Sequence, residues 1–235
     1  ISTIEQLQAL DGKSGSYELI SDIDASNTSS WNSGAGFETP YASGLTLDGN
    51  GYTISNVTID RPSSPSQYIL SANTISNLNI DNPDLTGDYF TAPIDASTVT
   101  NVHVTSGSIT GSTEVGGLVP TTSGSESISD SSSTATITGY DKIGGLVGYH
   151  RGTISNSNYD GTINGDSNVG GIAGQNRSGS ITDSYSTGTI NTTPDGDPSF
   201  DSNSGGLVGK NYESASISDS YSRMNVNSVD RAGGL

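Results

Sequence analysis

The sequence predicts an all-β protein folded as a β-solenoid, in which about 26–28 residues form a coil and each coil contributes three short strands. Three observations indicate this class. A Gly-Gly phrase recurs along the chain, apolar residues keep fixed distances from it, and turn residues fill the intervals. Regular spacing decides against disorder. The composition alone would favour disorder, because Leu, Ile, Val and Phe make up just under a fifth of the residues and the formal charge is −17.

The Gly-Gly pairs set the period of the repeat. Successive pairs are 28, 26, 35 and 28 residues apart, and they begin at Gly116, Gly144, Gly170, Gly205 and Gly233. Leu or Ile follows each pair, and in four repeats another aliphatic residue lies nine residues before it. In the remaining repeat the distance from Ile190 to Leu207 is 17 residues, so we expect an eight-residue insertion within residues 191–204. Glycine at the pair permits a sharp corner or a close approach of neighbouring coils.

A further column of Ile lies downstream of the first four pairs, and each Ile is followed two residues later by Asp or Asn and then by Ser. Its polar members are Asp130, Asn156, Asp183 and Asp219, and we extend the column upstream through Asn56, Asn77 and Asn101. Asn and Asp tolerate left-handed backbone conformations, so a stack at one corner could form a hydrogen-bonded ladder. The alternative is a repeated turn preference without stacking of the side chains.

The first residues predict a short amphipathic helix. Ile4, Leu7 and Leu10 lie on one helical face, and Ser2 and Glu5 have the spacing of a capping box. Such a helix would cover the exposed end of a solenoid. We therefore divide the chain into residues 1–44, an N-terminal cap and first irregular coil, residues 45–108, degenerate coils, and residues 109–235, the regular repeats. The last segment stops at the opening of the repeated phrase, so we expect the natural chain to continue.

The charge balance restricts the setting and the partners. Eight Lys and Arg stand against 25 Asp and Glu, a balance that resembles proteins of extremely halophilic archaea. In molar salt the screening length falls to about 3 Å, so a crowded acidic surface repels itself little. The alternative is an acidic surface protein of another host. Nucleic acid is not expected as a partner, since no cluster of cations is present to neutralise phosphates. We also expect no membrane insertion, because no apolar stretch approaches about 20 residues.

The repeated sequence segments resemble those of a known family. The segments "VGGLV", "IGGLVG", "VGGIAG" and "SGGLVG", each followed by "ISDS", "ISNS" or a variant of them, resemble the GLUG repeat, and "LTLDGNGYTISNVTI" is similar to the segment that precedes such repeats. The resemblance covers roughly residues 45–235. It implies a right-handed parallel β-helix in a large secreted or surface-anchored protein, such as an adhesin or a bacterial immunoglobulin A peptidase, without catalytic residues in the repeat. Pro120 and the insertion depart from the pattern.

The turn after each Gly-Gly strand is the predicted binding site. Planar amide and guanidinium donors beside Tyr are suited to holding sugars, and stacked coils would align them as one stripe. The members of this stripe are Tyr149, His150, Arg151, Gln175, Asn176, Arg177, Lys210, Asn211 and Tyr212. The alternative is a row of solvated turns. We expect Tyr159, Tyr185 and Tyr221 to form a nearby column packed at a strand edge.

The insertion suggests calcium as the one cofactor to consider. Asp195, Asp197 and Asp201 match alternating ligands of a calcium loop, although Phe200 and Gly206 occupy positions that such a loop fills with Gly and Glu. The alternative is a solvated acidic loop.

Four sequons predict N-glycosylation in an exported protein, at Asn27, Asn56, Asn176 and Asn191. We rank Asn191 first, since it opens the insertion, and Asn56 last, since it belongs to the Asp/Asn column.

No hydrolase, nucleotide-binding or metallopeptidase motif is present, and His103 and His150 lie in different parts of the repeat. We therefore expect no enzyme but a structural and adhesion module of an extracellular or cell-surface protein of a halophile. It would form a stalk or filament, by homo-oligomerisation or otherwise, and contact a surface glycan or protein. One alternative is a virion spike or tail fibre that binds a haloarchaeal receptor. Another is a carbohydrate-active β-helix enzyme with carboxylates on one flank.

Overall fold

The computed structural model describes residues 1–192, 203–228 and 231–234. Helix α1 spans Ile4–Gln8, and a 3-10 segment spans Ser26–Gly34. The strands are β1 (Ser14–Glu18), β2 (Ile23–Asp24), β3 (Tyr41–Asp48), β4 (Thr53–Ser55), β5 (Thr58–Asp60), β6 (Ser66–Gln67), β7 (Leu70–Asp81), β8 (Asp84–Thr86), β9 (Phe90–Thr91), β10 (Ile94–Thr105), β11 (Ser108–Thr110), β12 (Thr113–Gly116), β13 (Val119–Thr121), β14 (Ser127–Ser129), β15 (Ser132–Ser133), β16 (Thr136–Thr138), β17 (Asp141–Gly144), β18 (Val147–His150), β19 (Thr153–Ser155), β20 (Asn158–Gly165), β21 (Ser167–Gly170), β22 (Ala173–Arg177), β23 (Ser180–Thr182), β24 (Tyr185–Thr192), β25 (Asn203–Gly205), β26 (Val208–Tyr212), β27 (Ser216–Ser218), β28 (Tyr221–Asn227) and β29 (Arg231–Gly233).

These strands build a parallel β-solenoid of about eight turns, as the sequence predicts. Strands β6, β9, β12, β17, β21, β25 and β29 form one sheet, and β13, β18, β22 and β26 form a second. The remaining strands form the third and largest sheet. Each strand pairs in parallel with its equivalent in the next coil, so the core is a set of residue columns that run along the solenoid.

The apolar columns read from the repeat are confirmed by the strand register. One column consists of Ile109, Ile137, Ile163, Ile190 and Val226, and another of Val99, Ile128, Ile154, Ile181 and Ile217. The coil that contains the insertion keeps this register on both sides, since Asn191 pairs with Asn227 and Gly170 with Gly205. The strand register is therefore the same before and after the insertion.

The Asp/Asn corner also stacks, with one correction. Asn77, Asn101, Asp130, Asn156, Asp183 and Asp219 all have positive φ and follow paired residues of successive coils. Amides link parts of the column, since Asn101 Nδ2 donates to Asn77 Oδ1 at 2.9 Å and Asn156 donates to Asp130. Asn56 belongs to a different corner, where its Oδ1 accepts from Asn82 at 3.0 Å. The word "TISN" occurs at both corners because both need a left-handed Asn.

A serine ladder, buried in all but its last member, runs beside the Asp/Asn corner. Its members are Ser131, Ser157, Ser184 and Ser220, and each donates its hydroxyl at 2.7 Å to the carbonyl two residues earlier. The same hydroxyl accepts a backbone N–H from the preceding coil, as Ser157 does from Ser131 at 3.2 Å. Each oxygen thus joins two coils inside a narrow core, which explains why Ser follows the Asp or Asn in every repeat.

The predicted column of three tyrosines is wrong at Tyr159, while Tyr185 and Tyr221 are neighbours. Tyr159 points into the core and is fully buried, where it pairs with Ser133 and Ser186 of the adjacent coils. Tyr185 and Tyr221 stack on the outside, with ring centroids 5.3 Å apart. Tyr159 lies three residues after its Asn and the other two lie two residues after their Asp, and a shift of one residue reverses the face of a strand.

The N-terminal helix forms as predicted, but its cap lies one residue further on. Ile4, Leu7 and Leu10 are buried against the first coil. Thr3 is the N-cap, because its backbone is extended and its Oγ1 accepts from the Gln6 amide at 3.3 Å. Gln6 in turn accepts from the Ser2 amide at 2.8 Å, so the reciprocal pair uses Gln6 in place of Glu5.

Candidate functional site

The turns after the Gly-Gly strands lie side by side, because β18, β22 and β26 are adjacent. Tyr149 pairs with Gln175 and Gln175 with Lys210. The next position along each strand pairs His150 with Asn176 and Asn176 with Asn211, and Arg177 pairs with Tyr212. The side chains of three coils are therefore aligned.

The middle of this stripe is not accessible to a ligand. His150 and Asn176 are fully buried, and Gln175 is 8% exposed. Asn176 donates to Asn211 Oδ1 at 2.9 Å and to the Gly179 carbonyl at 3.3 Å, so it holds coils together. His150 and Asn176 are paired residues of adjacent strands and both point inward, whereas Gln175 lies on the other face, where Tyr212 donates to its Oε1 at 3.4 Å. Only the outward members can contact a ligand.

The outward members form a cation–tyrosine patch, which we define as Lys142, Tyr149, Arg151, Arg177, Lys210 and Tyr212. Its centre is the Tyr149 hydroxyl, which accepts from Arg151 Nη2 at 2.8 Å and from Arg177 Nη1 at 3.4 Å. The Arg151 guanidinium also lies 4.8 Å from the centroid of the Tyr149 ring. Lys142, at a left-handed position before the Gly-Gly pair, lies 5.9 Å from the same centroid. The sequence stripe missed Lys142, because it lies on the neighbouring sheet.

Carboxylates balance part of this positive charge. Lys142 Nζ lies 3.3 Å from Glu114 and 3.4 Å from Asp141, and Arg177 Nε lies 2.6 Å from Glu213. No carboxylate among the described residues lies within ion-pairing distance of Arg151, which is exposed. The patch holds four of the eight Lys and Arg in the whole chain. It is therefore a concentrated but nearly balanced group of charges on an acidic protein.

The cations alter the ionisation of both tyrosines. Burial opposes ionisation of Tyr149, but hydrogen bonds from Arg177, Tyr212 and Arg151 outweigh it and lower the pKa of the Tyr149 hydroxyl. Burial, together with the hydrogen bond to Tyr149, raises the pKa of Tyr212 to about 12. Tyr149 therefore acts as the hydrogen-bond acceptor of the patch, and Tyr212 keeps its proton.

The four sequons differ in how accessible the Asn amide is. Asn27 is exposed in the 3-10 segment. Asn56 donates to Asp24 at 3.1 Å, and Asn191 donates to Asn164 Oδ1 at 3.0 Å while accepting from Asn227 at the same distance. These two amides are already used between coils. Asn176, as described above, is buried.

The proposed calcium ligands Asp195, Asp197 and Asp201 lie outside the described residues. Within residues 1–192, 203–228 and 231–234, no three His, Asp or Glu side chains come close enough together to hold a metal ion. In the same residues, no helix has the length and apolar character needed to cross a bilayer.

Known proteins share the sequence repeat and the fold of this chain. The GLUG motif matches residues 165–191 and 201–227. Halomucin of Haloquadratum walsbyi is 35% identical over 162 residues, which is 63% of this chain but 2% of Halomucin. A Bacteroides ovatus crystal structure, described as that of a proposed immunoglobulin A1 protease, superposes with a TM-score of 0.67 at 20% identity over 99% of this chain and 81% of its own.

A second solved structure, named IgA1 Protease, superposes with a TM-score of 0.61 at 20% identity and covers all of this chain but 20% of its own. At these identities the two structures show the fold alone. The sequence identity to Halomucin is higher than that to either solved structure, although the chain spans only 2% of the length of Halomucin. The chain is a β-solenoid that contains GLUG repeats and is similar in sequence to a protein of a halophilic archaeon.

Proposed function

We propose that this chain is a non-catalytic rod segment of a cell-surface or exported protein of a halophilic archaeon, and that its cation–tyrosine patch contacts surface glycans. The similarity to Halomucin and the charge of −17 support the halophilic setting. The observation that carries the binding role is the gathering of half of the chain's Lys and Arg around two tyrosines on three aligned coils.

The chemistry of the patch suits a glycan with many hydroxyl groups. Three carboxylates lie among the four cations, so the patch presents both donors and acceptors and little net charge. In molar salt, attraction between separated charges is screened beyond about 3 Å. Binding must therefore come from direct hydrogen bonds and from packing on the tyrosine rings, which guanidinium, amide and phenol groups provide.

The regular columns support the role as a rod. Each coil is joined to the next by strand pairing, by the serine ladder and by amide pairs such as Asn176 with Asn211. Since every coil contacts only its neighbours, the stack can be extended without changing its cross-section. This geometry holds the patch at a fixed distance from whatever anchors the protein.

The test is binding to immobilised envelope polysaccharide of a halophilic archaeon in 2 M NaCl. We expect the double variant Arg151→Gln and Arg177→Gln to bind at least tenfold more weakly than the native chain. Arg223→Gln is the matched control, because Arg223 also lies over a tyrosine, at 5.4 Å from the Tyr221 centroid, but outside the patch. Equal binding by all three proteins would show that the patch has no such role. Release of new reducing ends from the polysaccharide would contradict a non-catalytic rod.

A further inference from the structure

A groove at the N-terminal coils has the features of a second binding site, separate from the cation–tyrosine patch. It encloses about 310 Å³ between the loop after β5 and the segment before β3, with Glu38, Tyr41, Arg61, Ser64 and Gln67 among its lining residues. An adjoining concavity of about 450 Å³ shares Glu38, Thr39 and Tyr41 with it. Sites for small ligands begin at about 300 Å³, so the groove has room for one or two sugar units.

Arg61 is the unusual group in this groove. Its Nε and Nη2 atoms have no hydrogen-bond partner and almost no accessible surface, although the side chain as a whole is 22% exposed, so a ligand reaches them when the guanidinium turns toward the groove. The nearest carboxylate oxygen, Glu38 Oε1, lies 3.9 Å from Nη2, which is too far for a hydrogen bond. A guanidinium that has lost water without gaining partners is costly, and a ligand that supplies acceptors would remove the cost.

The backbone around Arg61 is fixed. Its amide donates to the Thr86 carbonyl at 2.9 Å, and its carbonyl accepts from the Ser64 amide at 2.9 Å. These two bonds fix the backbone from which the Arg61 side chain extends. Because Nε and Nη2 lie on one edge of a planar fork, the acceptor that matches them best is a planar oxyanion with two oxygens, that is, a carboxylate.

Tyr41 supplies a surface for the remainder of the ligand. It is 50% exposed, and its ring packs edge-on against Tyr68 with centroids 6.4 Å apart. Its amide donates to Asp11 Oδ1 at 3.0 Å, which fixes the strand that carries it. A half-exposed, immobilised aromatic face beside hydroxyl and amide groups suits the apolar face of a sugar ring.

We propose that this groove binds an acidic sugar, with its carboxylate on the Nε and Nη2 edge of Arg61 and its ring on Tyr41. Glu38 then accepts hydrogen bonds from the sugar hydroxyls. The site differs from the cation–tyrosine patch, where Lys142 and Arg177 donate hydrogen bonds to protein carboxylates at 3.3 and 2.6 Å, whereas the ion pair of Arg61 with Glu38 is 3.9 Å long and leaves both groups able to bind a ligand.

The experiment titrates the protein with digalacturonic acid by calorimetry in 2 M NaCl, with the uncharged dimethyl ester of the same disaccharide as the matched ligand. We expect saturable binding of the acid and at least tenfold weaker binding of the ester. Arg61→Gln and, separately, Tyr41→Ala should each weaken binding of the acid at least tenfold, whereas Arg223→Gln should leave it unchanged. Circular dichroism confirms that each variant is folded.

Equal affinities for acid and ester, no saturable binding of either, or native affinity in both Arg61→Gln and Tyr41→Ala would overturn the proposal. Loss of acid binding in the Arg151→Gln and Arg177→Gln protein, with Arg61→Gln unaffected, would assign the acidic sugar to the cation–tyrosine patch. The groove proposal would then be wrong while the proposed function of the patch would stand. Conversely, groove binding can be observed even if the patch binds no polysaccharide.

Discussion

Thr122 donates its hydroxyl proton to Nδ1 of His150, across a distance of 2.8 Å between two adjacent coils. The direction follows from the backbone amides of Arg151 and Gly152, which both donate to the same Thr122 oxygen, at 3.1 and 3.3 Å. Since that oxygen already accepts two hydrogen bonds, its own hydrogen must point to the imidazole ring. His150 therefore carries its proton on Nε2, which faces the Ser180 carbonyl at 3.3 Å.

This arrangement predicts that stability falls as the pH decreases through the weakly acidic range. Burial lowers the pKa of His150 to about 4, against about 6.5 for an unfolded chain, and the Ser180 carbonyl opposes the shift only in part. The unfolded chain thus takes up a proton more readily than the folded one. The stabilisation is complete above about pH 6.5 and is lost as the pH falls toward 4, with a limit on the order of 3 kcal/mol.

The measurement is the free energy of unfolding by denaturant at pH 7.0, 6.0, 5.0 and 4.5. Carboxylates also titrate near the lower end, so the contribution of His150 is the part of the slope that disappears in His150→Gln. His103→Gln is the matched control, because His103 is only half-buried. An identical pH slope in the native protein and in His150→Gln would contradict the assignment.

A second prediction concerns the fully buried Tyr159. Its ring lies against Gly145, and a methyl group added at Gly145 would overlap both the ring and the Gly171 carbonyl. We expect Gly145→Ala to lower the free energy of unfolding by about 1–3 kcal/mol, because the added methyl group overpacks the core. Gly124→Ala is the control, because nothing lies within 4 Å of its added methyl group. Thermal unfolding of the two variants tests this, and equal midpoints would mean that the coil can expand at no cost.

The same tyrosine shows where prediction from the sequence ends. The columns of Ile and Gly-Gly could be predicted because a fixed spacing places equivalent residues in register. Tyr159 could not be placed, because the direction of a side chain changes with a single residue, and its distance from the corner differs by one from that of Tyr185. The constant Ser of each repeat was visible, but only the structure shows that its hydroxyl joins two coils.

For the binding site, the sequence likewise predicts which residues are aligned but not which of them are exposed. The register of the stripe follows from the repeat, but the contact of Arg151 and Arg177 with the Tyr149 hydroxyl is seen only in the structure. The depth of each side chain does not follow, so His150 and Asn176 were included although both are buried. The groove at Arg61 left no signal in the repeat, because it lies in coils without the Gly-Gly phrase.

The serine ladder leads to a third prediction. Ser157 Oγ donates to the Ser155 carbonyl at 2.7 Å and accepts from the Ser131 amide at 3.2 Å, in a buried position. Ser157→Ala leaves that amide without a partner, which costs roughly 1–3 kcal/mol. Ser125→Ala, at an exposed turn position, should change the free energy of unfolding by less than about 0.5 kcal/mol. Chemical denaturation measures the free energy of unfolding of both variants. Equal values for the two would mean that the serine ladder does not stabilise the protein.

The Asp/Asn corner yields a fourth prediction, on salt. Asp183 and Asp219 are both exposed and follow paired residues of adjacent coils, so two like charges are neighbours at one corner. Asp219→Asn removes this repulsion and can donate an amide to Asp183, as Asn156 does to Asp130. We expect the variant to unfold at a higher temperature than the native protein in 0.1 M KCl, and the gain to be smaller in 2 M KCl, where the repulsion is screened and only the amide bond remains. A gain that is equal at both concentrations would exclude repulsion as its cause.

The sequons give a fifth prediction, in which Asn27 replaces Asn191 as the site most suited to a glycan. An N-linked glycan replaces a hydrogen on Nδ2, so it is compatible with the fold only where that atom reaches solvent and is not needed between coils. Asn191 uses its Nδ2 in an amide ladder from Asn164 to Asn227, and Asn176 has no exposed surface. Asn27 is exposed. In a glycosylating archaeal host we expect the folded, secreted protein to carry a glycan at Asn27 and none at Asn56, Asn176 or Asn191.

Mass spectrometry of the glycopeptides measures the occupancy of each site. Asn27→Gln should abolish the mass shift of the intact protein, and Asn191→Gln should leave it unchanged while lowering the unfolding temperature, because the variant breaks the ladder at its middle. A glycan found on Asn176 in protein that is folded by circular dichroism would contradict the burial of that residue. It would also mean that the coils around β22 pack less tightly in the glycosylated protein, with Asn176 exposed.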